Sequence, residues 1–108
     1  MVYCFDMDGT LCSNTDGKYE DAVPNLAVIS RVNALYDRGE PIIINTARGS
    51  TTGIDWRELT ERQLENWGVR YHNLFMGKPH ADVYVDDKAV NLREWLSADR
   101  TLEGCHAE

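Results

Sequence analysis

The stretch Val2-Tyr3-Cys4-Phe5-Asp6-Met7-Asp8-Gly9-Thr10-Leu11 constrains this chain more than any other. Apolar, β-prone residues end abruptly in two carboxylates one residue apart, followed by Gly-Thr. Acids at i and i+2 of an extended segment project to the same side. They repel each other and each resists losing water, so folding alone does not ask for them there. A divalent cation reverses that cost, and so does chemistry that needs a nucleophile beside an acid. Gly9 permits a tight turn straight after the strand and keeps both acids at its C-terminal edge. In open α/β sheets that edge is where ligands bind. The plain alternative is an Asp-rich turn with no further role, since Asp and Gly are common turn formers. An EF-hand calcium loop is excluded. Its Gly at the sixth position would make Cys4 the first ligand, and a strand stands where a helix is needed.

Elsewhere the pattern is one of strands alternating with helices. Residues 2–6 read as a buried strand. Residues 11–23 are polar and contain Asp16-Gly17, a favoured hairpin turn, so a small hairpin or flap is expected there. Pro24 suits the first turn of a helix. Val28, Ile29, Val32, Leu35 and Tyr36 recur at helical spacing up to Gly39. Ile42, Ile43 and Ile44 lead into Asn45-Thr46 as a second buried strand. After a loop rich in Gly, Ser and Thr, Asp55-Trp56-Arg57-Glu58 has the form of a capping box. Trp56, Leu59, Gln63, Leu64 and Trp67 mark one face of the helix that follows, which ends at Gly68. Residues 71–76 form a weak strand, residues 82–86 a clearer one, and residues 90–96 a short helix. The tail from about residue 98 is polar. Helical crossovers imply a single Rossmann-like α/β domain over residues 1–108, three layers deep, with a mainly parallel sheet covered on both faces and no cap domain.

With 108 residues the chain fits one domain. Its net charge of −7 argues against nucleic acid or an anionic membrane as a surface-wide partner. An anionic substrate in a local pocket stays compatible with that charge. No stretch approaches the ~20 apolar residues of a membrane span. The N-terminus runs directly into the first strand with no signal-peptide pattern, so a cytoplasmic location is expected. Cys4, Cys12 and Cys105 are odd in number and lack metal-type spacing, as free thiols of a cytosolic protein would.

Three further features fall at strand ends: Thr46 after the second strand, Asp86-Asp87 after the last, and Lys78 just before it. Together with Asp6 and Asp8 they place acids, a hydroxyl and a lysine where one crevice forms. In order, the motifs Asp6-Met7-Asp8-Gly9-Thr10-Leu11, Ile42-Ile43-Ile44-Asn45-Thr46, Lys78-Pro79 and Val83-Tyr84-Val85-Asp86-Asp87 resemble those of the haloacid dehalogenase (HAD) superfamily of phosphohydrolases. The resemblance covers roughly residues 2–97.

That resemblance implies a phosphomonoesterase. Asp6 would attack phosphorus and form an aspartyl-phosphate. Asp8 would protonate the leaving oxygen and then activate water. Mg²⁺ would be held by Asp6, the main-chain carbonyl of Asp8, and Asp86, with Asp87 on a bound water or on the ion itself. Thr46 would donate to a phosphoryl oxygen and Lys78 would neutralise charge. An acid at position 8 sets the dehalogenase members aside, because only an alkoxide leaving group needs its proton. The segments between the motifs are too short for a cap domain. The open site is therefore expected to be covered by the flap, by a second copy in a homo-oligomer, or by the substrate. Arg48, two residues past Thr46, is placed to contact phosphate or a second anionic group. The loop it opens, residues 48–56, is the expected specificity element. Trp56 stands there either to stack on a ring or to pack its helix. The chain looks most like small capless HAD phosphatases of polysaccharide and sugar-nucleotide synthesis, so a sugar phosphate is the expected substrate. A nucleotide 5′-phosphatase and a non-catalytic phosphosugar-binding subunit are the alternatives.

Overall fold

β1 (Tyr3–Asp6), α1 (Leu26–Asp37), β2 (Ile42–Asn45), α2 (Arg57–Asn66) and β3 (Asn73–Phe75) follow one another along the chain. They build a parallel sheet in the order β1-β2-β3. This is a computed structural model, and it describes residues 1–97, so the polar tail lies outside the described residues. The register joins Asp6 to Asn45 and Asn45 to Phe75. All three strands therefore end level, and the residues that follow them emerge along one edge.

Burial alternates along β2 and β3, as period-two side chains on a one-sided core require. Phe5, Ile42, Ile44 and Leu74 share one sheet face and form a single buried cluster with Val28, Val32 and Leu35 of α1 and Leu64 of α2. Two successive crossovers stepping the same way place both helices on that face. Residues 92–97 are helical. There Leu92, Trp95 and Leu96 pack on the same cluster, with the Trp95 ring edge-on to Phe5 at 5.3 Å. On the other face Cys4, Asn73 and Phe75 are exposed. Among the described residues no helix is long and apolar enough to cross a membrane.

Four local expectations change. Asn25 caps α1, accepting a bond from Val28 N–H at 3.3 Å, so Pro24 stands just before the helix and not in its first turn. The α2 cap is Trp56, without a side-chain bond, and Asp55 accepts instead from Arg57 N–H at 3.0 Å in a short Asx turn. The Asp16-Gly17 turn forms with both residues at positive φ, but no hairpin ladder continues from it. A 3₁₀ turn over Tyr19–Asp21 follows, and Ser13 N–H to the Val23 carbonyl at 2.9 Å closes the base of the loop. Residues 82–86, expected as a strand, do not join the sheet, and Val83 and Val85 are exposed. Local bonds hold this segment. The Tyr84 hydroxyl accepts from Ala81 N–H at 3.1 Å and donates to the Pro79 carbonyl at 2.5 Å, while Lys78 Nζ lies 4.2 Å from the ring centroid. Alternating Val residues satisfy a strand pattern, but a ladder forms only where a neighbouring edge is presented to them.

Candidate active site

The level strand ends put residues 6–8, 46–48 and 76–78 side by side. Past β2 the ladder continues, with Thr46 N–H on the Phe75 carbonyl at 2.9 Å and Lys78 N–H on the Thr46 carbonyl at 3.1 Å. Lys78 is thereby carried back toward β1. Its Nζ lies 3.2 Å from Asp6 Oδ2, and the Asp6 side chain is 39% exposed. Asp6 Oδ1 accepts from Met7 N–H at 2.9 Å. Asp6 is thus partly open, oriented by its own backbone and neutralised by a lysine.

Asp8 has a cation of its own. Arg48 Nε donates to its Oδ2 at 2.9 Å and the Arg48 NH2 nitrogen to its Oδ1 at 2.8 Å, a bidentate pair. The Arg48 side chain is fully buried and that of Asp8 is 19% exposed. The repulsion between two acids one residue apart is therefore met from two directions by two side-chain cations.

Arg48 was expected to contact phosphate or a second anionic group; the anion it meets is Asp8, and the rest of the guanidinium is held by α2. Its NH1 nitrogen donates to Thr60 Oγ1 at 3.0 Å and to Gln63 Oε1 at 2.6 Å. NH2 also approaches Cys12 Sγ at 3.8 Å, and the Tyr19 ring lies under the guanidinium carbon at 4.6 Å. The tight loop after Arg48 turns the chain inward. Gly49 has φ +81, and a Cβ there would sit 2.1 Å from the Ile54 carbonyl oxygen. The same loop brings Trp56 edge-on to Tyr19 at 5.0 Å, so the indole packs against the flap.

Thr46 is buried and its Oγ1 accepts from Arg48 N–H at 3.2 Å. That bond uses an oxygen lone pair and leaves the hydroxyl hydrogen to other acceptors. Asp86 and Asp87 are not gathered with Asp6 and Asp8. Both are exposed, and Asp86 Oδ1 accepts from Lys88 N–H at 2.8 Å, which holds its carboxyl below the usual range. Among the described residues no group of three or more His, Cys, Asp or Glu side chains is arranged to hold a metal ion.

Cys12 lies under Asp8, with Sγ 3.5 Å from Asp8 Oδ1 and 3.6 Å from the Met7 carbonyl. Burial, then the Asp8 charge, pushes its thiol up to about 12. Its thiol stays protonated and serves as a hydrogen-bond donor to Asp8 Oδ1 or the Met7 carbonyl. Alkylation at pH 8 followed by peptide mass mapping is expected to label the exposed Cys4 and spare Cys12 in the native protein. Equal labelling of the two would contradict that assignment.

Thr60 and Gln63 were not singled out as site residues from the sequence. The usable signal was Gln63, a polar residue within the apolar face of α2, since a buried amide there requires partners. Beside the site, a cleft of about 450 Å³ is bounded by Arg48, Ser50, Ile54, Asp55, Trp56 and Met76, which places the loop of residues 48–56 at its wall.

No protein-family model and no curated protein matches the chain. Among solved structures, a crystal structure of an MCSG target from Vibrio cholerae is 31% identical, with 90% of this chain and 89% of that one covered and a TM-score of 0.80. Chains of a Pnkp1/Rnl/Hen1 complex and of the Pnkp1/Rnl/Hen1 RNA repair complex match at 22% and 21% identity, over 88% and 91% of this chain, each with a TM-score of 0.58. The present chain spans only 33% and 31% of those two, and at such identity the likeness is one of fold.

Proposed function

The chain belongs to one family with the Vibrio cholerae protein, and we propose that it is a phosphomonoesterase of HAD type, forming an aspartyl-phosphate from a small phosphorylated metabolite. One observation carries the proposal. Two acids one residue apart sit at the C-terminal edge of a parallel sheet, each with a separate cation, Asp6 with Lys78 and Asp8 with Arg48. This division suits two different tasks. Asp6, the more exposed, bonds through a carboxylate oxygen to phosphorus as the phosphorus–oxygen bond of the ester breaks. Lys78 offsets the charge on the phosphoryl oxygens. Asp8 delivers the proton to the leaving oxygen, then takes one from the water that hydrolyses the acyl phosphate. Thr46 contributes its hydroxyl hydrogen at the adjoining strand end.

The proposal includes a Mg²⁺ requirement, which the positions found here satisfy only in part. Asp6 and the Asp8 carbonyl offer hard oxygen donors at one edge, but Asp86 is turned onto Lys88 N–H. As placed, these residues do not form a metal set, and no step above is routed through an ion. The substrate is proposed as a sugar phosphate, with the cleft beside Trp56 taking the part that leaves. A nucleoside monophosphate is the second reading, favoured by the indole in that wall.

A panel of sugar phosphates, nucleoside monophosphates and simple alkyl phosphates, assayed for phosphate release with Mg²⁺ and with EDTA, tests both statements. Release from at least one ester is expected with Mg²⁺, with loss on chelation and recovery on adding the ion back. No release from any ester would overturn the activity, and full activity after exhaustive chelation would overturn the metal requirement.

A further inference from the structure

We infer that Thr60 and Gln63 of α2 are positioning residues for Asp8, acting through Arg48. A guanidinium has five N–H donors in one plane. In Arg48 every one is engaged: two by Asp8, one by Thr60 Oγ1, one by Gln63 Oε1 and one by Cys12 Sγ. Thr60 is fully buried and Gln63 nearly so. They stand at i and i+3 on α2 and grip the same NH1 nitrogen.

Gln63 is itself fixed at both ends. Its Oε1 accepts from Arg48 and its Nε2 donates to the Tyr19 carbonyl at 2.7 Å. A flipped amide would set donor against donor at one end and acceptor against acceptor at the other. The Tyr19 ring then closes the guanidinium face. The plane of the Asp8 carboxylate is therefore set by α2 and the 13–23 loop, across Arg48.

Buried ion pairs are poor stabilisers compared with apolar packing of the same volume. A fully satisfied one is better explained by the orientation it imposes. Asp8 Oδ1 receives both an NH2 hydrogen and the Cys12 thiol, whereas Oδ2 receives only the Nε hydrogen among the described residues. The cluster thereby engages Oδ1 more fully than Oδ2 and fixes which carboxylate oxygen is the less occupied. The positioning role rests on the proposed phosphomonoesterase reading; the clamp itself does not.

The test uses the full chain in two arms, with Thr60→Val, Gln63→Met and the conservative Thr60→Ser. The first arm follows hydrogen exchange of the Arg48 Nε–H by ¹⁵N NMR in the free protein. Exchange is expected to accelerate on the order of tenfold or more in Thr60→Val and Gln63→Met, a loss of about 1.4 kcal/mol of protection, and to stay slow in Thr60→Ser. The second arm compares an alkyl phosphate with p-nitrophenyl phosphate, whose leaving group needs no proton. Misplacing a catalytic group costs up to about 10²-fold. The first two variants are therefore expected to lose kcat on the alkyl ester by roughly 10–10²-fold, with little change in KM and a much smaller loss on the nitrophenyl ester.

Unchanged exchange in both variants overturns the inference, whatever the activity. Accelerated exchange with equal losses on the two esters overturns the role toward Asp8, because a general loss of structure slows both. Absence of phosphatase activity in the unaltered protein would refute the proposed function, and the exchange arm would still decide the clamp. Gln63→Met, nearer the surface, gives the same reading if Thr60→Val fails to fold.

Discussion

Asp6→Asn is expected to abolish phosphate release from every ester the protein accepts, with the fold intact by circular dichroism. The amide is nearly the shape of the carboxylate and keeps an oxygen to accept from Met7 N–H. It cannot form the acyl phosphate. The loss is expected to be independent of leaving group, because no proton donated by Asp8 can compensate for a missing nucleophile. Retained turnover on p-nitrophenyl phosphate, the ester least dependent on acid help, would remove Asp6 from the role.

Arg48→Leu is expected to produce the largest loss of stability from a single change near the site. The side chain is fully buried, and its removal leaves Asp8, Thr60 and Gln63 facing one another without their shared donor. Breaking one side of a buried pair costs about 3–5 kcal/mol, and the partial exposure of Asp8 places the expectation near 3 kcal/mol. For a domain of this size that corresponds to a fall in Tm of roughly 12 °C or more. Arg48→Lys is not expected to rescue it, because an ammonium with three donors cannot span the five acceptor atoms that the guanidinium engages. Thermal and urea unfolding check this. A change in Tm of only a few degrees for Arg48→Leu would mean that the cluster is not tightly coupled to folding.

The sheet and the first half of the site were legible because they rest on local pattern. An apolar run that stops at Asp6-Met7-Asp8-Gly9 identifies a strand end, and so does Ile42-Ile43-Ile44-Asn45-Thr46. Strand-helix-strand alternation then orders the ends along one edge. Lys78 lies 3.2 Å from Asp6, although the strand by which the sequence placed it, residues 82–86, does not form. Arg48 could be placed near the site but not aimed. Its direction depends on the Gly49 turn against the Ile54 carbonyl and on acceptors 12 and 15 residues away on α2. Thr60 carries no signal in sequence, since an isolated Thr on a helix is commonplace until its burial is known. Residues 82–86 show the converse: a strand pattern read from alternation alone, with the outcome decided by Tyr84 bonding to Pro79 and Ala81 close by in the chain.

The central claim is that phosphate passes through Asp6, and trapping that intermediate tests it most directly. Asp8→Asn removes the base needed for its hydrolysis, so phosphoenzyme is expected to accumulate when this variant meets p-nitrophenyl phosphate. Rapid acid quench and peptide mass spectrometry should then find one phosphoryl group on Asp6, released by hydroxylamine as acyl phosphates are. A phosphoryl group on another residue, or none during demonstrable turnover, would contradict the account.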